Sequence, residues 1–179
     1  MKQKRVQNLV LAAMFLAIGM VLPFFIGQIK EIGNMLLPMH LPVMMCGLVC
    51  GWKYGAAVGL ILPFLRSVSF GMPALYPNAV TMAIELCAYG LLIGLFYQLF
   101  KKKNIFTIYA SLLLSMIGGR LIWGIAKVLV LGLSGTGFTL TAFWIGGFAN
   151  ALPGIILQLI LIPSLMVLIN TLTKKKTSN

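Results

Sequence analysis

Long apolar runs alternate with short polar blocks along this chain. About 20 consecutive apolar residues carry an α-helix across a bilayer, and six segments read as such helices, at about 8–25, 36–51, 54–69, 78–100, 105–131 and 140–172. The second is interrupted by Pro38 and Pro42, and a tight turn from Gly51 to Gly55 leads into the third. Both are short for full spans, which implies tilt or partial re-entry. The sixth is long enough to tilt or to break near Pro153. The connections 27–40, 67–77 and 132–138 are built from Gly, Pro, Asn and aromatics rather than charge runs, the composition of lids. No internal repeat or low-complexity segment interrupts the pattern.

Composition turns that pattern into a membrane assignment. Of 179 residues, 60% are hydrophobic and 9% charged, against about 25% charged in a soluble domain. The mean hydropathy is +1.03. So few charges cannot cover a water-soluble core, and the length suits one membrane bundle with no appended soluble domain. The segment after Lys2–Arg5 resembles a secretory signal, but the stretch from Val21 to Ile26 supplies no small-residue cleavage site, so it reads as a retained membrane helix.

A formal charge of +12 would point to nucleic acid in a soluble protein. Here the charges flank apolar segments instead. With six helices, one side of the membrane receives Lys2, Lys4, Arg5, Lys53, Lys101, Lys102, Lys103, Lys174, Lys175 and Lys176, ten of the fourteen Lys and Arg. The opposite connections hold only Lys30. The positive-inside rule then makes both termini cytoplasmic and turns the 27–40, 67–77 and 132–138 connections outward. The expected fold is an all-α integral membrane protein of six transmembrane helices, embedded in the lipid bilayer as a single domain, with no nucleic-acid partner.

Charges inside membrane helices are costly and mark cavities or pairs. Four remain once the flanks are assigned, Arg66, Glu85, Arg120 and Lys127, with Asn78 and Asn150 at similar depth. At about 1.5 Å of rise per residue, four helices deliver these groups to one outer layer, with Asn150 about three turns into the sixth. Arg120, Trp123 and Lys127 share one helix face through their i, i+3, i+7 spacing. Tyr76 and His40 sit at helix mouths beside this layer, His40 between Pro38 and Pro42. The expected site is an outward cavity with three cations and one anion, which suits an anionic ligand. Plainer roles stand beside it: Glu85 as a structural bridge to Arg66 or Arg120, Lys127 snorkelling to headgroups, Trp123 and Tyr76 in an interfacial belt.

Several activities lack their residues. No Gly-x-x-x-x-Gly-Lys-Ser/Thr loop is present, so the chain hydrolyses no nucleotide itself. With no Asp, two Glu and one His, no catalytic metal cluster or proton relay can be assembled. Cys46, Cys50 and Cys87 lie in apolar stretches and read as inert thiols. The expectation is a protein that is not an enzyme and carries neither metal nor cofactor.

The pattern resembles the substrate-binding S components of energy-coupling factor (ECF) vitamin transporters. In the first segment Ala13-Met-Phe-Leu-Ala17 matches that family's Ala-x-x-x-Ala motif, whose small residues clear a groove for close helix packing. Met35-Leu-Leu-Pro-Met-His-Leu-Pro42, followed by Cys46-Gly47 and the Gly51–Gly55 turn, looks like the pantothenate-type branch. The resemblance implies a multi-pass subunit of a prokaryotic cell membrane that captures a vitamin outside. It also implies a membrane coupling subunit docked on Ala13 and Ala17, and two cytosolic ATPases as motor. Pantothenate is a carboxylate and suits the cationic surplus. Folate, biotin and lipoate are also anions, while riboflavin and hydroxymethylpyrimidine would want more stacking side chains. A stand-alone facilitator and a ligand-free membrane scaffold are the readings outside that family.

Overall fold

A computed structural model describes residues 2–26, 36–133 and 139–177. The stretches 27–35 and 134–138, with Lys30 and much of two connections expected to act as lids, lie outside the described residues. Every regular element among the described residues is helical: α1 (Lys2–Ile26), α2 (His40–Cys50), α3 (Trp52–Phe70), α4 (Val80–Leu99), α5 (Ile105–Leu133), α6 (Leu140–Trp144) and α7 (Leu152–Thr177). Wide π-type turns precede α4, at Leu75–Ala79, and follow α6, at Ile145–Ala149.

Among the described residues four stretches are long and apolar enough to cross a membrane: Gln3–Phe25, Leu75–Leu99, Ile105–Gly132 and Ile145–Leu172. α2 is the short element. Its 11 residues cover about 16 Å, half the hydrocarbon thickness. Proline explains the late start. Leu37, ahead of Pro38, takes φ +50° and cannot continue a right-handed helix. Pro42 falls in the first turn of α2, where its missing N–H costs nothing.

The segment expected over 140–172 is broken. α6 gives way to the π turn, then to a turn at Asn150 and Ala151, and α7 restarts at Leu152 with Pro153 in its first turn. Asn150, expected three turns into a continuous helix, therefore sits in that turn, exposed, with its N–H bonded to Ile145 O. Pro153 suits that restart, because its missing N–H is not needed in a first turn.

Glycine sets the helix spacing in the α2–α3–α4 core. A Cβ on Gly47 would stand 2.6 Å from Gly90 O, and one on Gly55 would stand 2.7 Å from both Gly47 Cα and Gly90 O. Each lies on a small-x-x-x-small repeat: Gly47 with Gly51, Gly55 with Gly59, Gly90 with Gly94. Three backbones meet there without side chains between them, the packing that membrane helices use in place of a hydrophobic drive.

Around this seam lie two apolar clusters. One joins Met44, Tyr89, Ile93, Leu112, Met116 and Ile162 from α2, α4, α5 and α7. The other joins Ala12, Val43, Val58, Leu62 and Leu86 from α1 to α4. α1 is held at its start by Asn8 Nδ2 donating to Cys50 O at 3.3 Å, and Tyr97 and Ile169 bring the ends of α4 and α7 to one level. The antiparallel run of the helices thus gathers Lys4, Arg5, Lys53, Lys101, Lys102 and Lys103 at one end of the bundle, together with the last turns of α7. The start of α4 and the end of α5 lie at the opposite end.

Candidate functional site

α4 and the π turn ahead of it run antiparallel to α5, and four polar rungs join the two limbs. Tyr76 O–H donates to Val130 O at 2.9 Å, Lys127 Nζ to Asn78 Oδ1 at 3.1 Å, Arg120 Nη1 to Glu85 Oε1 at 2.9 Å, and Tyr89 O–H to Met116 O at 3.3 Å. From Asn78 through Glu85 to Tyr89 each step forward is matched by an equal step back along α5, while Tyr76, two residues before Asn78, meets α5 three residues beyond Lys127. The seven residues from Asn78 to Glu85, two helical turns, return both to one face, as do the seven from Arg120 to Lys127. The two charged rungs are therefore about 10 Å apart along the helix axes.

The deeper rung is buried. Glu85 is 3% exposed and Arg120 4%. His40 brings the first turn of α2 to the same carboxylate, with Nε2 3.3 Å from Glu85 Oε1, and its ring stands edge-on to Tyr89 at 5.1 Å. Both partners reach one oxygen of Glu85. Since a carboxylate accepts, His40 presents N–H at Nε2. Arg120 Nε and Nη2, His40 Nδ1 and Gln158 Nε2 are buried without hydrogen-bond partners among the described residues. Native interiors rarely leave such groups unmet.

Aromatic groups bound this rung on one side. The Arg120 guanidinium lies 5.9 Å from the centre of the Trp123 ring, a cation–π separation. Trp123 stacks on Phe143 of α6 at 6.1 Å, and Phe143 meets Trp144 edge-on. The backbone of the following π turn passes close to the indole, where Cβ atoms on Gly146 and Gly147 would each lie 3.3 Å from it. The broken sixth limb thus meets Trp123 with both the Phe143 ring and the bare backbone of the π turn.

The structure separates the sequence candidates into groups. His40, Glu85 and Arg120 meet directly, Trp123 flanks them, and Lys127 with Asn78 forms the shallower rung. Tyr76 is 55% exposed and ties the π turn ahead of α4 to the end of α5. Arg66 does not join them. Its Nη1 donates to Met20 O at 2.7 Å, and its guanidinium lies 5.0 Å and 5.6 Å from the Phe24 and Phe70 rings. The α1–α3 contact, not the α4–α5 face, claims this cation, so the three-cation cavity expected from depth reduces to Arg120 and Lys127. Ala13 and Ala17 face out of the bundle, while Ala12 beside them is 6% exposed and packs in the core. Among the described residues no three His, Cys, Asp or Glu side chains are placed to hold a metal ion.

Sequence reasoning missed Tyr89 and Gln158. Tyr89 lies one turn beyond Glu85 on the same face, a spacing that was available to find it. Gln158 is 1% exposed on α7, and only its burial in an apolar helix marks it out.

No curated protein and no solved structure matches the chain. A model of the family described as ECF transporter, substrate-specific component, matches residues 7–166, most of the length and every element that builds the rungs. The chain therefore belongs to the ECF transporter substrate-specific components, multi-pass proteins of the prokaryotic cell membrane that bind a small-molecule substrate, associate with coupling and ATPase subunits, and serve transport rather than catalysis.

Proposed function

We propose that this subunit captures an anionic vitamin from outside the cell, with pantothenate the best fit, and passes it inward in complex with a coupling subunit and two ATPases. The observation that carries the reading is the charge of the α4–α5 face. Arg120 and Lys127 stand against a single carboxylate, Glu85, leaving one formal positive charge in a segment where unbalanced charge is costly. A monoanion restores neutrality. With the lysine-rich end cytoplasmic by the positive-inside rule, the rungs lie in the outward half. His40, Asn78, Glu85, Arg120, Trp123 and Lys127 then form the substrate site, with Tyr76 and Asn150 at its mouth. Arg66 serves the α1–α3 contact instead.

A membrane scaffold would pair its polar layer completely, whereas Arg120 and His40 keep unmet polar atoms. The Trp123–Phe143 stack favours one alternative within the class, folate, which joins a flat ring to two carboxylates, one more than the surplus charge balances. The coupling subunit docks on the outward-turned Ala13 and Ala17 of α1. The test is to purify the chain, identify any co-purifying small molecule by mass spectrometry, and titrate the emptied protein with pantothenate and folate by calorimetry. Saturable binding of pantothenate supports the reading. Selective binding of an uncharged or cationic vitamin rejects it.

A further inference from the structure

Arg120 meets Glu85 through one corner only. Nη1 carries the 2.9 Å contact, while Nε and Nη2 are buried and unpartnered among the described residues. Those two nitrogens form the side edge of the guanidinium, a parallel pair of N–H donors whose geometry matches the two oxygens of a carboxylate. Glu85 does not close that edge. The oxygen it offers to Arg120 is also in contact with His40 Nε2 at 3.3 Å. The charge of Arg120 is thereby balanced within the fold while its best recognition edge stays unused.

We infer that the Nε/Nη2 edge of Arg120 is the grip for the substrate's carboxylate, taking it side-on beside the face of Trp123. The inference rests on reading the substrate as a carboxylate and adds which atoms hold it. Three features favour this edge over Lys127 as the primary grip. Arg120 is 4% exposed and already desolvated, whereas Lys127 is only partly buried and already donates to Asn78. A desolvated fork adds direction as well as charge, because both donors must find oxygens in one plane. The fork is also held still by the bond from Nη1 and by the Trp123 ring 5.9 Å away, so little motion is lost on binding.

The consequence is discrimination between an acid and its primary amide. An amide offers one acceptor and one donor to an edge that has only donors. Loss of a charge-assisted pair corresponds to roughly ten- to a hundredfold in affinity. The experiment titrates the purified chain in detergent with pantothenate, biotin, lipoate and folate, each beside its primary amide (the diamide for folate). Wild type should favour one of these acids over its amide by at least about tenfold. In Arg120→Lys, which keeps the charge and loses the fork, that preference should fall to about twofold or less. A melting curve confirms that the variant is folded.

A second measurement needs no variant of Arg120. Arg5, Arg66 and Arg120 are the chain's three arginines, so ¹⁵Nε labelling gives three side-chain resonances, the other two assigned from Arg5→Lys and Arg66→Lys. The Arg120 Nε–H signal should move downfield with the acid and stay in place with the amide. If wild type binds none of the acids, or binds acid and amide alike, the carboxylate reading falls and takes this inference with it. If wild type prefers the acid while Arg120→Lys keeps that preference, or the Arg120 resonance does not move, the carboxylate reading stands and the Arg120 grip is overturned.

Discussion

Arg120 on α5 reaches Glu85 on α4 across 2.9 Å with both side chains buried, and His40 of α2 contacts the same carboxylate oxygen. A buried pair of this kind is weak evidence of net stability, but breaking it from one side is costly, at about 3–5 kcal/mol, because the partner's charge is left uncompensated. Glu85→Leu should therefore lower the unfolding temperature in detergent by several degrees. Glu85→Leu combined with Arg120→Met should recover much of that loss, since no unpaired charge then remains in the deeper, buried rung. Thermal unfolding followed by tryptophan fluorescence reads both. A single variant as stable as the wild type would mean that Arg120 finds another counter-charge.

Hydropathy made the long spans legible, because about 20 apolar residues in a row have few alternatives to crossing a bilayer. It also gave depth along each helix, and depth alone put Arg66 and Arg120 in one layer. Rotation about the helix axis was not legible. Arg66 and Arg120 differ in which neighbour they face, and that is decided by which backbones come together. The repeats at Gly47, Gly55 and Gly90 do that deciding, and their meaning depends on three helices at once. The matching seven-residue spacings, 78 to 85 from the π turn into α4 and 120 to 127 on α5, were present in the chain. The pairing they encode emerges only once the two helices are known to be antiparallel neighbours. The break before Pro153 was readable from the proline, and Pro77 and the Gly146-Gly147 pair mark the turns at Leu75–Ala79 and Ile145–Ala149, but a proline or glycine pair does not say that the turn it marks is of the wide π type.

The glycine seam makes two outwardly similar substitutions diverge. A Cβ at Gly55 would stand 2.7 Å from the backbone of two other helices, while one at Gly132 meets nothing within 4 Å. Gly55→Ala should therefore cost about 1–3 kcal/mol or more, because α2 and α4 must both move to admit one methyl group. Gly132→Ala, near the end of α5, should be neutral or stabilising by up to about 1 kcal/mol through helix propensity. Unfolding temperatures measured side by side in one detergent test this. Equal effects would remove the close-packing account of the α2–α3–α4 core.

Charge placement predicts which end of the bundle faces the cytoplasm. With Cys46, Cys50 and Cys87 replaced by Ala, a cysteine at Lys102 should react with a membrane-impermeant maleimide only in inverted vesicles. One at Met72, exposed between α3 and α4, should react only in intact cells. Reversed labelling would turn the Glu85–Arg120 rung toward the cytoplasm and withdraw the proposal of capture from outside.

α1 offers a surface to a partner without giving up its own seat in the bundle. In its spanning window only 17% of residues are buried, against 56% for the span ending in α4, so most of the helix is turned away from the rest of the chain. Ala13 and Ala17 lie on that outer side one turn apart, while Ala12 is buried on the inner side. Small residues four apart let another helix approach closely, and a tryptophan there would hold it off. Ala13→Trp and Ala17→Trp should leave the melting temperature and substrate binding of the isolated subunit unchanged, because the new ring points into lipid. Uptake by cells that also carry the coupling and ATPase subunits should fall to background, and co-purification with those subunits should fail. Ala12→Trp should behave the other way, unfolding the isolated subunit through overpacking of the cluster formed with Val43 and Leu62. Normal uptake with Ala17→Trp would move the docking surface off this face of α1 and leave the substrate site untouched.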